Sequence, residues 1–197
     1  MTTRHSQCHG HSYIGNMHRL FIAIRPPADI RARLLSVMGG VPGARWQDDD
    51  QLHLTLRFVG ETDPRRADDL AAALATIRFA PFPISLSGVG QFDRRGRIDA
   101  LWAGVQPRDS LTQLHRKIDR ACVDAGFPAD QRAYLPHITL ARFSRSGGVT
   151  DSFLSDNAAL SSPPFLIDRF ILFESHLTQA GARYDVGAVY PADPQRF

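Results

Sequence analysis

Two segments of the chain carry the same polar pattern, His-x-Thr, within otherwise apolar runs. The first is LHLTLRF, residues 52–58, and the second is PHITLARF, residues 136–143. An imidazole with a pKa near 6.5 can take or give a proton at neutral pH, so two of them can supply a general base and a general acid together. Threonine hydroxyls can donate hydrogen bonds to ligand oxygens. The combination suits in-line displacement at phosphorus, in which one group deprotonates the attacking oxygen and the other protonates the leaving oxygen.

Side-chain alternation along a strand predicts how each motif faces. His53, Thr55 and Arg57 should share one face of the first strand, while the neighbouring leucines form core on the other. In the second motif His137 and Thr139 likewise share a face. A polar pair projecting from each of two apolar-backed strands predicts the two walls of one polar cleft.

Each motif also ends a similar unit of sequence. The apolar run LFIAI is followed by Pro26, a helical segment and the first motif, and LWAGV is followed by Pro107, a helical segment and the second. The separations are similar, with 27 residues from Pro26 to His53 and 30 from Pro107 to His137. Such a repeat indicates one structural unit used twice, which predicts two facing lobes.

The other patterns predict an α+β fold with a mainly antiparallel sheet. Helical spacing of apolar residues occurs in ADIRARLLSVM, PRRADDLAAALATIR and SLTQLHRKIDRACVDAG. Strand patterns flank the turn-like DRRG as a hairpin, ISLSGVGQF with RIDALWAGV, and FLIDRFILFES with ARYDVGAVY is predicted as a closing antiparallel pair.

Composition limits the class of protein. A chain of 197 residues with 43% hydrophobic residues and a net charge of +3 can fold alone and contact a phosphate locally, without coating nucleic acid. No apolar run is long enough for a membrane span, and two cysteines do not make a disulfide framework, so we expect a cytoplasmic protein. Residues 1–16 lack hydrophobic periodicity and are predicted to be a disordered extension before a single bilobal domain, residues 17–197.

The two motifs, with the opening RLFIAIRPP, the extension PHITLARF and the late LFESHL and GARY, resemble the two-histidine (2H) phosphoesterase superfamily. Within it, the chain is most similar to the RNA 2′,3′-cyclic phosphodiesterase family, also called LigT-like or 2′-5′ RNA ligase. The resemblance covers residues 19–190. It implies a bilobal fold in which two pseudo-symmetric, mainly antiparallel β lobes with flanking helices surround a central cleft. It also implies hydrolysis of terminal 2′,3′-cyclic phosphates to 2′-phosphates, with reversible 2′-5′ ligation in some members, and no metal or other cofactor.

Carried over by position, the resemblance assigns catalysis to His53 and His137. We take His53 as the general acid and His137 as the general base, and the reverse pairing stays open because the motifs are interchangeable in sequence. The resemblance assigns phosphate binding to Thr55, Thr139 and Arg142. Strict alternation sends Arg142 to the face opposite His137, so it can reach the phosphate only if the strand bulges or ends before it.

Three further residues are candidates for substrate binding. Phe21 falls where the family has an aromatic residue near the bound base, although core packing explains it equally well. Alternation aims Arg57 at the cleft, where a solvated edge charge is the alternative. Ser175, in FESHL, resembles a serine that lines the cleft rim.

The expected partner is RNA with a 2′,3′-cyclic phosphate terminus, acted on by a monomer. Two alternatives stay open. The substrate could instead be a small cyclic nucleotide, such as a nucleoside 2′,3′-cyclic phosphate or the cyclic phosphate of ADP-ribose, which turnover of a mononucleotide against an oligomer would separate. The protein could also be a non-catalytic RNA-end binding module, whose RNA affinity would survive loss of either histidine.

Overall fold

The computed structural model describes residues 17–94, 96–144, 149–178 and 181–193. The predicted N-terminal extension, residues 1–16, lies outside the described residues. The strands within them are β1 (His18–Ile24), β2 (Ala44–Trp46), β3 (Leu54–Thr62), β4 (Phe82–Arg94), β5 (Arg97–Gln106), β6 (His137–Phe143), β7 (Phe165–Ile167), β8 (Arg169–Thr178) and β9 (Gly181–Pro191). The helices are α1 (Ala28–Ser36), α2 (Pro64–Leu74), α3 (Asp109–Asp124) and α4 (Asp151–Asp156), with a short 3-10 helix at Asp49–Gln51.

The strands form one open antiparallel sheet in the order β7-β4-β5-β6-β3-β1-β8-β9, with β2 paired to β6. At its centre β3 and β6 meet through a single residue pair, Leu54 opposite Ile138. This narrow junction divides the sheet into two halves of four main strands. The predicted bilobal, mainly antiparallel α+β fold is therefore confirmed.

The internal repeat is also confirmed by the topology. The unit β1-α1-β3 lies in one half of the sheet and β5-α3-β6 lies in the other, so the two His-x-Thr strands come together at the centre. Each outer strand of a unit pairs with a long strand on its far side, β8 beside β1 and β4 beside β5. One arrangement is thus used twice around the central strands.

One sequence expectation was wrong. The segment FLIDRFILFES, predicted as one strand, is two strands separated at Asp168: β7 pairs with β4, whereas β8 pairs with β1 and β9. The chain therefore crosses from one end of the sheet to the other within a few residues. Local periodicity cannot reveal this crossing because both parts are apolar and extended, and only their partners differ.

Helices α2 and α3 cover the sheet with apolar faces. In α3 the side chains of Leu111, Leu114 and Ile118 are at most 2% exposed, and each such burial contributes roughly 1.5–3 kcal/mol. Helix α2 begins with Pro64 after Asp63, whose carboxylate accepts a hydrogen bond from the backbone N–H of Arg66. No helix in the described ranges is long and apolar enough to span a membrane.

Candidate active site

The two motif histidines make the same backbone contact. Nδ1 of His53 lies 2.7 Å from the carbonyl oxygen of Gln51, and Nδ1 of His137 lies 2.7 Å from the carbonyl oxygen of Leu135. A carbonyl only accepts hydrogen bonds, so each Nδ1 carries the proton and donates it. In the neutral ring this leaves Nε2 with a lone pair, and each imidazole is oriented by the residue two positions before it.

The strand that carries the second motif bulges, and the bulge resolves the conflict over Arg142. Thr139 lies opposite Trp102 and Ala141 opposite Leu101, so Leu140 is an extra residue in β6. Leu140 and Ala141 are both fully buried, and Arg142 is exposed on the same side as Thr139. The alternation that excluded Arg142 fails at this bulge.

The first motif strand has the same irregularity at the matching place. Thr55 lies opposite Ala23 and Arg57 opposite Ile22, so Leu56 is an extra residue in β3. The consequence is reversed for the basic residue, because the bulge turns Arg57 inward and leaves Phe58 44% exposed. Phe58 therefore takes the position in the first half that Arg142 takes in the second.

The expectation that alternation aims Arg57 at substrate is corrected by its contacts. Its Nε donates to Asp119 of α3 at 2.8 Å, and its other nitrogens donate to the carbonyl oxygens of Phe58 and Pro128. The side chain is 8% exposed, although it forms part of the cavity wall described below. Arg57 thus joins β3 to α3 and the following loop, and each of its three side-chain nitrogens already donates to the protein.

Aromatic rings surround His53. The ring centroid of Phe21 lies 4.9 Å away, and that of Tyr184 lies 5.2 Å away in an edge-on arrangement. Phe21 also stacks on Phe173 at 5.2 Å and is only 3% exposed. The packing alternative therefore describes Phe21, because its ring supports the His53 imidazole and offers little free surface to a base.

His137 is held by rings from its own half of the sheet, on β4 and β5. Phe92 approaches its ring edge-on at 4.8 Å, and Trp102 lies 6.2 Å away. Trp102 packs closely over Gly90 of β4, where an added Cβ would lie 2.3 Å from the indole ring. A glycine at this position therefore leaves the space that the indole occupies near the histidine, with the two ring planes 61° apart.

The electrostatics of the two histidines follow from this enclosure. Burial lowers the pKa of His53 from 6.5 to about 4, against the raising effect of its hydrogen bond to Gln51, and the charges of Arg142 and His137 add to the lowering. Burial is also the largest cause that lowers the pKa of His137, with Arg142 again contributing. The free protein therefore holds both rings neutral at pH 7.

A cavity of about 330 Å³ brings all three predicted phosphate-binding residues together with His137, whereas His53 is not part of its lining. Thr55 from β3 lines it with His137, Thr139 and Arg142 from β6. Within the described residues, neither threonine hydroxyl has a hydrogen-bond partner in the protein, so both are free to donate to a ligand. The arginine and the two hydroxyls converge on a space of the right chemistry for an anion.

Ser175 lies outside this group. It is half-buried opposite Tyr184 in the β8–β9 ladder, two residues beyond Phe173 and on the same face of the strand. The residue in contact with the His53 ring is Tyr184, the cross-strand partner of Ser175. Its assignment to the substrate stays a prediction.

The residues that could hold a metal are dispersed. Across the described segments, no group of three or more His, Cys, Asp or Glu side chains could hold a metal ion. The chemistry of the cavity is instead that of imidazole, hydroxyl and guanidinium groups.

Several residues around the cavity were missed by the reading of the sequence. His115 of α3 and Tyr134 line the cavity with Phe58. Only Phe58 had a usable signal, because it follows His53 by five residues just as Arg142 follows His137. Phe92 and Tyr184 reach the histidines from distant strands. Tyr184 ends the GARY phrase that supports the family resemblance, but nothing in the local sequence places either ring beside a histidine.

Comparison with known proteins agrees with this geometry. The sequence matches the family model of the 2′-5′ RNA ligase superfamily over residues 19–179. A curated RNA 2′,3′-cyclic phosphodiesterase of Geobacillus stearothermophilus is 27% identical over 177 residues, which is 87% of this chain and 56% of that protein, so the chain spans just over half of that relative. The protein of the same name from Thermotoga maritima is 28% identical over 176 residues, 85% of this chain and 92% of that protein.

Solved structures give the same result. The crystal structure of Escherichia coli LigT complexed with 3′-AMP is 27% identical in sequence and superimposes with a TM-score of 0.72. The match covers 90% of this chain and 99% of that one.

Proposed function

This chain belongs to the 2′-5′ RNA ligase superfamily, and on that premise we propose that it is an RNA 2′,3′-cyclic phosphodiesterase. It opens a terminal 2′,3′-cyclic phosphate to a 2′-phosphate by two-histidine acid–base catalysis without a metal ion, and it has the capacity for reversible 2′-5′ ligation. The curated relatives from Geobacillus stearothermophilus and Thermotoga maritima carry the name of this activity. The E. coli neighbour contains 3′-AMP, a nucleotide with a phosphate on its ribose.

The observation that carries the proposal is the matched fixing of the two imidazoles. Each Nδ1 donates to a carbonyl oxygen two residues earlier, so Nε2 of His53 and Nε2 of His137 are the atoms left for proton transfer. A binding module would not need two imidazoles at matching places on the two central strands. An acid and a base on opposite sides of a phosphorus atom do need this.

The reaction follows from these roles. Nε2 of His137 takes a proton from water as the oxygen attacks phosphorus, and the bond from phosphorus to the 3′ oxygen breaks as His53 gives that oxygen a proton. The 2′ bond stays intact, so the product is a 2′-phosphate with a free 3′ hydroxyl. Thr55, Thr139 and Arg142 hydrogen-bond the remaining phosphoryl oxygens and stabilise the charge that develops on them.

The lowered pKa values of the two histidines favour the role of His137 as general base. A neutral His137 can accept a proton at pH 7, whereas His53 needs a proton before it can act as the acid. The bound phosphodiester favours this protonation of His53, because its negative charge offsets the positive charge of Arg142 and raises the pKa of the adjacent imidazole. Protonation of His53 is therefore coupled to substrate binding.

The test is incubation of a short RNA that ends in a 2′,3′-cyclic phosphate with wild type, His53→Ala and His137→Ala, all in EDTA. We expect 2′-phosphate from the wild type and none from either of these two variants. His18→Ala is the matched control, since His18 pairs with Glu174 on β1 and β8 and does not line the cavity. Loss of activity in EDTA, or turnover by both variants, would contradict the proposed chemistry.

The same assay separates the remaining alternatives for the substrate. A higher kcat/KM for the oligomer than for a nucleoside 2′,3′-cyclic phosphate identifies an RNA end as the substrate, and the reverse identifies a small cyclic phosphate. RNA affinity without any turnover by the wild type would identify a binding module. A monomeric state and a cytoplasmic location remain predictions, the first of which sedimentation can test.

A further inference from the structure

The cavity extends beyond the residues assigned to the phosphate. Its wall also contains Phe58, His115 and Tyr134, here called the aromatic wall, which belong to neither His-x-Thr motif. The wall begins close to the reaction centre, since the ring of Phe21 lies 4.9 Å from His53 and 6.0 Å from Phe58. A ligand with its phosphate between the two histidines therefore has this wall beside it.

His115 is fixed in the same way as the two motif histidines. Its Nδ1 lies 2.8 Å from the carbonyl oxygen of Leu56, the extra residue of the β3 bulge, so Nδ1 is the donor. In the neutral ring Nε2 is therefore an acceptor, and it has no hydrogen-bond partner within the described part of the chain. The proposed mechanism does not use this nitrogen.

Tyr134 holds the His115 ring flat. The two rings stack with centroids 4.0 Å apart and planes 5° apart. The Tyr134 hydroxyl is enclosed and has no hydrogen-bond partner among the described residues, and burial raises the pKa of this group, so it stays a neutral donor. Buried polar groups without partners are costly and are concentrated where ligands bind.

The charges around the wall argue against a second phosphate there. Arg132 lines the same cavity, but its guanidinium makes two hydrogen bonds of 3.0 Å to the carboxylate of Asp130. Arg57 is likewise paired with Asp119. Both cations near the wall are therefore neutralised, whereas Arg142 has no carboxylate partner among the ion pairs of the described residues.

From this arrangement we propose that the aromatic wall is a nucleobase subsite, in which a base packs on the exposed ring of Phe58 and an N–H of its edge donates to Nε2 of His115. The inference rests on the proposed function and deepens it. A flat heteroaromatic ring with N–H donors suits a neutral, aromatic surface that carries one acceptor. The base belongs either to the terminal nucleotide, whose phosphate reacts, or to the nucleotide before it.

The experiment compares three substrates: 1-O-methylribose 2′,3′-cyclic phosphate, which has no base, a nucleoside 2′,3′-cyclic phosphate, and a dinucleotide with a cyclic end. The variants are Phe58→Ala, which removes the stacking surface, and His115→Asn. An asparagine amide can take the place of Nδ1 at the Leu56 carbonyl but offers nothing at the position of Nε2. His18→Asn is the control, the same substitution outside the cavity.

We expect Phe58→Ala to lower the kcat/KM ratio of nucleotide to base-free substrate by roughly tenfold, which lies in the lower half of the range for a base–aromatic stack. His115→Asn should lower the same ratio by about fivefold, the loss of one neutral hydrogen bond. A loss seen with both nucleotides assigns the terminal base. A loss seen only with the dinucleotide assigns the base before it.

Two outcomes overturn the inference without touching the proposed function. In the first, both variants match the wild type on all three substrates. In the second, the variants lose activity equally on all three, which would mean that His115 only supports the bulge. Wild type that hydrolyses none of the substrates would instead refute the proposed function. Phe58 is 44% exposed, so Phe58→Ala should fold even where the His115 variant does not.

Discussion

The two strands that carry the His-x-Thr motifs have the same local structure, with one difference. In both, a backbone carbonyl two residues earlier holds the histidine, and a threonine follows two residues later. Both strands also bulge at a leucine, Leu56 in β3 and Leu140 in β6. After the bulge, one strand presents Phe58 and the other presents Arg142. The residues proposed for proton transfer are duplicated, and those proposed to meet the rest of the substrate are not.

This difference shows how a symmetric frame can hold an asymmetric substrate. A cyclic phosphate has a negative phosphoryl group on one side and a nucleoside on the other. On the function and subsite proposed above, the arginine after one motif meets the phosphoryl group and the aromatic ring after the other meets the nucleoside. We expect this choice of residues, and not the histidines themselves, to determine which histidine is the acid.

The largest loss of kcat should come from replacing the histidines. The two variants should differ in how they respond to a substrate with a better leaving group. His53→Ala and His137→Ala should each lower kcat about 10²- to 10⁴-fold on a normal cyclic phosphate. A substrate with sulfur in place of the 3′ leaving oxygen needs little acid catalysis, because a thiolate leaves readily. Single-turnover rates on it should recover for His53→Ala and stay low for His137→Ala.

The reverse recovery would exchange the two roles, since it would make His137 the acid. Equal defects on both substrates would show that neither histidine protonates the leaving group. His18→Ala again serves as the control, and its rates should match the wild type on both substrates.

The next effect concerns the arginine that makes the halves unequal. Arg142→Ala should lower kcat/KM about 10²- to 10³-fold, as expected when a donor to the developing phosphoryl charge is lost. Arg142→Lys should recover part of the activity, since it keeps the charge without the two-pronged geometry. Arg169→Ala, which removes an exposed arginine paired with Asp168, is the control. Activity within threefold of wild type for Arg142→Ala would contradict the assignment.

The residue before Phe58 should affect stability and not substrate choice. Arg57→Ala should lower the free energy of unfolding by about 3 kcal/mol, because it leaves Asp119 without its cationic partner and removes the donor to two carbonyl oxygens. Urea denaturation measures this loss. The exposed pair of Arg120 and Asp124 gives the contrast, since Arg120→Ala should cost under about 1 kcal/mol. A loss below that of Arg120→Ala would refute the structural role.

Arg57 and Arg142 also mark how far sequence reasoning reached. Periodicity predicted most of the long strands, the repeat and the pairing of the two motifs, because side-chain alternation and repeated units are properties of local sequence. It could not locate the bulges, which depend on how β3 aligns with β1 and β6 with β5. A one-residue insertion in the ladder exchanges inside and outside for every later residue, so Arg57 and Arg142 were aimed at the wrong faces.

The rest of the site was unpredictable for a different reason. Phe92, Tyr184 and His115 come from β4, β9 and α3, and they meet the motif strands only through the fold. Their neighbours in sequence carry no sign of this proximity. Likewise β7 and β8 are continuous in sequence, and only their hydrogen-bonding partners lie at opposite ends of the sheet.

The smallest effect is a shift in pH dependence that sharpens the electrostatic side of the comparison. Both histidines have lowered pKa values in the free protein, to about 4 for His53, so each loses its proton at a lower pH than a free imidazole. Because kcat/KM reports the free enzyme, both limbs of its bell-shaped profile should lie on the acid side of the usual histidine range. Arg142 lowers both values, so Arg142→Ala should raise both, and NMR titration of the ring protons measures this independently of turnover. An unchanged titration in Arg142→Ala would mean that the arginine acts on the phosphate alone, and that the unequal halves do not influence each other's protons.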